Sequence, residues 1–146
     1  MLERFAMIKI TKESSVSIDD VLHLYQAVGW TNYTHQPQML EQALSHSLTT
    51  YLARDGEEIV GLVRLVGDGF SSVFVQDLIV LPSYQRQGIG SNLMKEALAD
   101  YKDAYQIQLA TELTEKNLGF YRSLGFETLS TYDCTGMIWV DRKKFK

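Results

Sequence analysis

The sequence has one cysteine, Cys134, and two prolines among its 146 residues. A single cysteine excludes an internal disulfide framework and any cysteine-rich metal cluster. It suits a reducing compartment, and a cytoplasmic location is the expectation. No apolar run approaches the roughly 20 residues that cross a bilayer. The opening Met1-Leu2-Glu3-Arg4-Phe5 lacks the apolar core of a signal peptide. No membrane partner is therefore expected. Basic excess is also absent, since 14 Lys and Arg face 18 Asp and Glu, for a net charge of −4. An acidic surface repels phosphate backbones, so no nucleic-acid partner is expected. The basic cluster Arg142-Lys143-Lys144 with Lys146 is too short to reverse that and reads as a solvated end. His23, His35 and His46 have no ligand spacing, and no metal is expected.

What is present is apolar content: 45% of residues are hydrophobic, enough for a core without staples. The length suits a single domain over residues 1–146. Ala6 to Ile10 alternates like a strand. Ser17 resembles an N-cap with Asp20 three residues on, followed by a helical stripe from Val21 to Val28 and a stop at Gly29. Pro37 opens a second helix with Leu40, Ala43, Leu44 and Leu48 apolar. Thr50 to Ala53 and Ile59 to Val66 form a hairpin across Asp55-Gly56. Asp68 sits in a Gly-Asp-Gly turn, and Ser72 to Leu81 follows as a third strand. Helix from Gly88 to Tyr101, strand from Ile107 to Ala110 and helix from Glu115 to Leu124 come next. Phe126 to Thr131 and Met137 to Val140 read as a closing hairpin. The order predicts an α+β fold, a mixed sheet with packed helices.

The informative stretch is Gln85-Arg86-Gln87-Gly88-Ile89-Gly90-Ser91, where a strand yields to a helix. Amides at a helix start lack intrahelical partners, and the dipole adds positive potential there. Such a place binds phosphate. Gly88 and Gly90 allow close approach, and Arg86 can add a charged contact. The third glycine of a dinucleotide fingerprint and the lysine of a P-loop are both missing.

The pattern Gln85-x-x-Gly88-x-Gly90, preceded by strand and proline, resembles the acetyl-CoA signature of the GNAT superfamily. Downstream, Phe120-Tyr121-Arg122-Ser123-Leu124-Gly125-Phe126 is similar to that family's second feature. The resemblance implies a mixed twisted sheet with helices on both faces, and two parallel strands splayed to form a cofactor gap. It implies an N-acetyltransferase that moves an acetyl group from acetyl-CoA to a small-molecule or protein amine in a ternary complex. The competing reading is a non-catalytic acyl-CoA sensor or partner-binding module.

The same resemblance assigns residues. Leu78, Ile79 and Val80 offer backbone to the pantetheine arm. Gln85, Arg86, Gln87, Gly88, Ile89, Gly90 and Ser91 surround the pyrophosphate. Tyr121 takes the position of the general acid, which the departing thiolate needs. Asp77 could bind the ammonium, take its proton through water, or hold a strand bulge. Glu112 is a second candidate base or a solvated residue, and ordered water is a third route. Thr114 stands where the family often has a cofactor-binding asparagine; it could bind through its hydroxyl or cap the helix, and Asn117 is one turn late. Gln76 replaces a frequent acid, and Phe74 a glutamate of some protein-lysine acetyltransferases. Trp30 could contact the acceptor or simply pack. A terminal hairpin could pair two subunits into a homodimer.

Overall fold

The computed structural model describes residues 7–144, and the chain divides into two compact units, Met1–Leu109 and Ala110–Lys146.

The first unit is a five-stranded sheet in sequential order. Its strands are β1 (Ile8–Glu13), β2 (Thr49–Asp55), β3 (Glu58–Gly67), β4 (Ser72–Val80) and β5 (Gln106–Leu109). The first four pair antiparallel, and β4 pairs with β5 in parallel. Ala6 of the expected first strand lies outside the described residues; the strand runs on to Glu13 because β2 pairs with it that far. The Asp55-Gly56 turn forms as expected, with Gly56 at φ +62°.

Strand alternation decides what covers each face. Leu52, Leu62 and Ile79 stand side by side across β2, β3 and β4. They join one apolar cluster with Val21, Leu24 and Tyr25 of α1 (Ile18–Ala27) and Leu40 and Leu44 of α3 (Pro37–Ser45). The opposite face carries α4 (Ile89–Asp100), whose Leu93, Met94 and Ala97 are buried. Gly61 makes room for it: a Cβ there would lie 3.2 Å from Leu93 Cδ1 and 3.4 Å from Ala53 Cβ. Helices thus cover both faces of this sheet, as the family resemblance implied.

Local chemistry sets the helix ends. The Ser17 hydroxyl accepts from the Asp19 amide at 3.3 Å, and Pro37 stands in the first turn of α3. A four-residue helix, α2 (Thr31–Thr34), was not expected. Leu48, expected on the second helix, lies beyond it: its amide joins the Leu65 carbonyl at 2.8 Å.

The second unit holds α5 (Glu115–Ser123) and a 3-10 turn, Leu129–Tyr132. The expected closing hairpin is absent among the described residues. Residues 126–128 and 137–140 have no ladder partner, and Phe126 instead belongs to the helix cap. Cys134 N–H bonds the Leu129 carbonyl around Asp133, which is left-handed at φ +57°. Beyond that turn, residues 137–140 form no ladder with 126–131. Apolar alternation marks a segment able to form a strand, but a strand requires a partner.

Candidate active site

The site begins at an unfinished ladder. β4 and β5 pair only from Ser72↔Gln106 to Val75↔Leu109, so β4 continues past Val75 with β3 alone. The Leu81 amide donates to the Val60 carbonyl at 2.9 Å. Backbone groups alternate along an antiparallel pair, so Ile79 and Leu81 face β3 while Leu78 and Val80 face the open edge. Gln85 bends back and donates from Nε2 to the Val80 carbonyl at 3.1 Å.

The loop beyond leads to the start of α4. A 3-10 turn, Pro82–Tyr84, is followed by exposed Gln85, Arg86 and Gln87. Arg86 is left-handed at φ +66°, and Gly88 at φ +80° occupies the N-cap without a side-chain cap. The first turn, Ile89-Gly90-Ser91, therefore presents amides without intrahelical acceptors. The Asn92 amide is the one that reaches back to the Gly88 carbonyl, at 3.0 Å. A Cβ on Gly88 would meet nothing within 4 Å, so the space before the helix is open. An extended, amide-bearing chain ending in phosphate fits this edge and this helix start.

Asp77 lies at an irregularity in β4. The ladder runs Arg64↔Asp77 and then Leu65↔Val75, leaving Gln76 as the extra residue of a bulge. Asp77 is 2% exposed and encircled by donors. Arg64 Nε donates to Oδ2 at 2.7 Å, Tyr25 Oη to Oδ2 at 2.8 Å and Tyr33 Oη to Oδ1 at 2.9 Å. Arg64 also donates to Ser47 Oγ at 3.2 Å and to Tyr33 Oη at 3.2 Å. Burial acts to lower the Arg64 pKa, but the charge and hydrogen bond of Asp77 outweigh it, and the guanidinium is held above its ordinary value. Burial and the neighbouring carboxylate push the Tyr25 and Tyr33 phenols up.

Of this cluster, the sequence reading singled out Asp77 alone. Arg64 stands between Val63 and Leu65 in an apolar strand. A charge buried in such a run needs a partner, and that was the available signal.

Trp30 is fixed by the end of α1. Its amide bonds the Tyr25 carbonyl, and the Gly29 amide bonds the Gln26 carbonyl, both at 3.1 Å. This is a Schellman cap, with Gly29 at φ +71° and the Trp30 ring 6.1 Å from that of Tyr25. Half-buried, the indole packs against the α1 and α3 cluster.

The second unit repeats the device. Phe126 N–H bonds the Tyr121 carbonyl and Gly125 N–H the Arg122 carbonyl, both at 3.0 Å. Gly125 stands at φ +98°, and the Phe126 ring meets Tyr121 edge-on at 5.9 Å. The spacing Tyr-x-x-x-Gly-Phe is thus the sequence of a helix cap that grips the tyrosine. Phe120 holds it from another side, at 5.0 Å. Burial pushes the Tyr121 phenol up, and a hydrogen bond with Thr111 only partly opposes this.

Thr114 caps α5: its hydroxyl accepts from the Asn117 amide at 3.1 Å. Asn117 Nδ2 returns to the Glu112 carbonyl at 3.2 Å. The Glu112 side chain is exposed.

Residues 46–128 match the family described as the acetyltransferase (GNAT) domain. A solved GNAT family acetyltransferase of Streptococcus pneumoniae TIGR4 is 76% identical, with TM-score 0.86, covering 93% of this chain and 99% of that one. A GNAT family acetyltransferase of Elizabethkingia anophelis, solved with acetyl-CoA bound, shares the fold at 22% identity and TM-score 0.61, covering 92% and 89%. A rice protein named serotonin N-acetyltransferase 2, chloroplastic, is 33% identical over 79% of this chain. The chain spans about 60% of that relative's length. With the family matched over the open β4 edge, the Gly88 loop and the capped Tyr121, the chain belongs to the GNAT acetyltransferase family.

Proposed function

We propose that this protein transfers an acetyl group from acetyl-CoA to a primary amine by direct attack. The observation that carries the reading is the open β4 edge running into the uncapped start of α4. Leu78 and the Val80 amide offer backbone groups to an extended arm, with Ile79 between them turned to β3, while the Val80 carbonyl is taken by Gln85. The amides of Ile89, Gly90 and Ser91 receive its phosphates, Gly88 leaves the approach clear, and Arg86 adds charge from the loop. Gln85 braces the loop against Val80, and Gln87 lines it.

Acetyl-CoA, when bound, supplies a thioester open to attack by an amine. The amine must first lose a proton, since its pKa is about 10.4 in water. Asp77 is poorly placed to take it, because Arg64, Tyr25 and Tyr33 already occupy both carboxylate oxygens. Its role in this account is to hold the bulge. Exposed Glu112 is the side-chain acceptor assigned instead. Tyr121 is the acid: a phenol is protonated at neutral pH and can deliver that proton to the leaving sulfur. Thr114 and Asn117 set the start of the helix that carries it, and Trp30 is the assigned acceptor contact.

The test is release of free thiol from acetyl-CoA against a panel of arylalkylamines, polyamines, amino sugars and peptide amines. Amine-dependent release with an acetylated product supports the reading. Acetyl-CoA binding without thiol release on any amine of the panel supports a sensor.

A further inference from the structure

Tyr84 closes the 3-10 turn before the phosphate loop, and its Oη donates to Asp55 Oδ2 at 2.6 Å, across 29 residues of chain. The bond is short because the acceptor is a carboxylate. Asp55 is a firm anchor, since it pairs with Ile8 of β1 on one side and with Glu58 of β3 on the other. The turn is also fixed at its start. There the Leu81 amide joins the Val60 carbonyl of β3, and the Tyr84 amide returns to the Leu81 carbonyl at 2.8 Å. We propose that the Tyr84–Asp55 contact is a positioning brace. It keeps the 85–88 loop in its phosphate-binding shape before acetyl-CoA arrives, and so rests on the cofactor site of the proposed function.

The loop needs such a brace. Gln85, Arg86, Gln87 and Gly88 are all exposed, and the next buried side chain is that of Ile89. Arg86 is left-handed at φ +66° without being a glycine. Backbone of that kind persists only where its surroundings over-determine it. Ile89 and the start of α4 hold it from one side. On the other side Gln85 bonds the Val80 carbonyl, which lies on the open edge itself, beside the groups offered to the arm. Asp55 stands on β2, two strands away from that edge, so the Tyr84 contact is clear of the arm. Amides ordered in advance meet an anion without losing loop freedom on binding. Without the brace, only the fraction of molecules with the loop in place is competent, and the apparent affinity falls by that fraction. One charge-assisted bond is worth about tenfold in the ratio of closed to open loop. With so few other ties on the loop, much of that factor reaches the affinity.

The experiment pairs limited trypsin digestion of the full chain with calorimetric titration by acetyl-CoA. Cleavage after Arg86 reports the open loop, and cleavage after Lys95 inside α4 reports general unfolding. Tyr84→Phe, Asp55→Ala, Asp55→Asn and the double variant Tyr84→Phe with Asp55→Ala are compared with the unaltered chain. In Tyr84→Phe, cleavage after Arg86 should rise and acetyl-CoA affinity should fall, each by about threefold or more, with cleavage after Lys95 unchanged. Asp55→Ala should do the same, and the double variant should be little worse than either, because both changes remove one contact. Asp55→Asn keeps an oxygen that accepts from Tyr84 and should recover part of the loss. Cleavage or affinity unaltered in Tyr84→Phe overturns the proposal. An equal rise after Lys95 does so too, since the effect is then general loosening, as do losses that simply add in the double variant. Failure of the unaltered chain to bind acetyl-CoA overturns the proposed function and the brace together. Normal binding there with an indifferent Tyr84→Phe overturns the brace alone.

Discussion

Arg64 and Asp77 face each other across β3 and β4 at 2.7 Å, both almost wholly buried, at the point where β4 bulges. Two charges taken out of water are held by each other and by two tyrosine hydroxyls. Removing one member leaves the rest without compensation. Asp77→Ala should cost about 3–5 kcal/mol of unfolding free energy, as loss of one partner of a buried pair does. Arg64→Met added to it should recover part of the loss, because no lone charge remains. Denaturant unfolding of the two variants checks this. Near-normal stability in Asp77→Asn together with abolished turnover would return Asp77 to the role of base.

Gly88 carries the cofactor prediction. A side chain there meets no protein atom within 4 Å, so its effect on binding comes from the space it fills before the helix. Gly88→Asp should weaken acetyl-CoA binding more than tenfold by calorimetry, through bulk and negative charge at the anion site. The left-handed backbone should cost about 1–2 kcal/mol of stability in addition. Unchanged affinity in the folded variant contradicts the assignment.

Much of this was legible in local chemistry. Ser17, Gly29, Pro37, Asp55-Gly56 and Thr114 mark their turns and caps because capping involves neighbours in the chain. The bulge partner of Asp77 was not legible, since Arg64 is 13 residues away and meets it only once β3 and β4 are in register. Tyr25 and Tyr33 are farther still, at 52 and 44 residues. The closing hairpin failed for the converse reason. Met137 to Val140 has the composition of a strand, but no rule of composition supplies its partner.

The cap around Tyr121 makes Gly125 a test of positioning. Gly125→Ala places a Cβ on a left-handed residue and should cost about 1–2 kcal/mol of stability. The cap sets the angle at which Phe126 meets Tyr121, so kcat should fall while the KM for acetyl-CoA changes little. Equal loss in both parameters points to general disruption.

Burial holds Tyr25, Tyr33, Tyr51 and Tyr121 above the ordinary phenol pKa. In the unfolded chain each ionises near pH 10. Their contribution to stability is therefore complete below about pH 10 and is lost as pH rises beyond it. Phenolate absorbance in an alkaline titration should show these residues ionising together with loss of the near-ultraviolet dichroism. Ionisation of more than four of the eight tyrosines with the fold intact contradicts their burial.

The central claim is acetyl transfer with Tyr121 as the proton donor to the leaving sulfur, and Tyr121→Phe tests it most directly. The substitution removes one oxygen and keeps the ring that Phe120 and Phe126 grip. Single-turnover thiol release at saturating amine should fall by about 10²–10⁴-fold, with acetyl-CoA affinity retained. The deficit should shrink with an acyl donor whose thiol is more acidic. An undiminished rate in Tyr121→Phe, with acetyl transfer rate-limiting, contradicts the account.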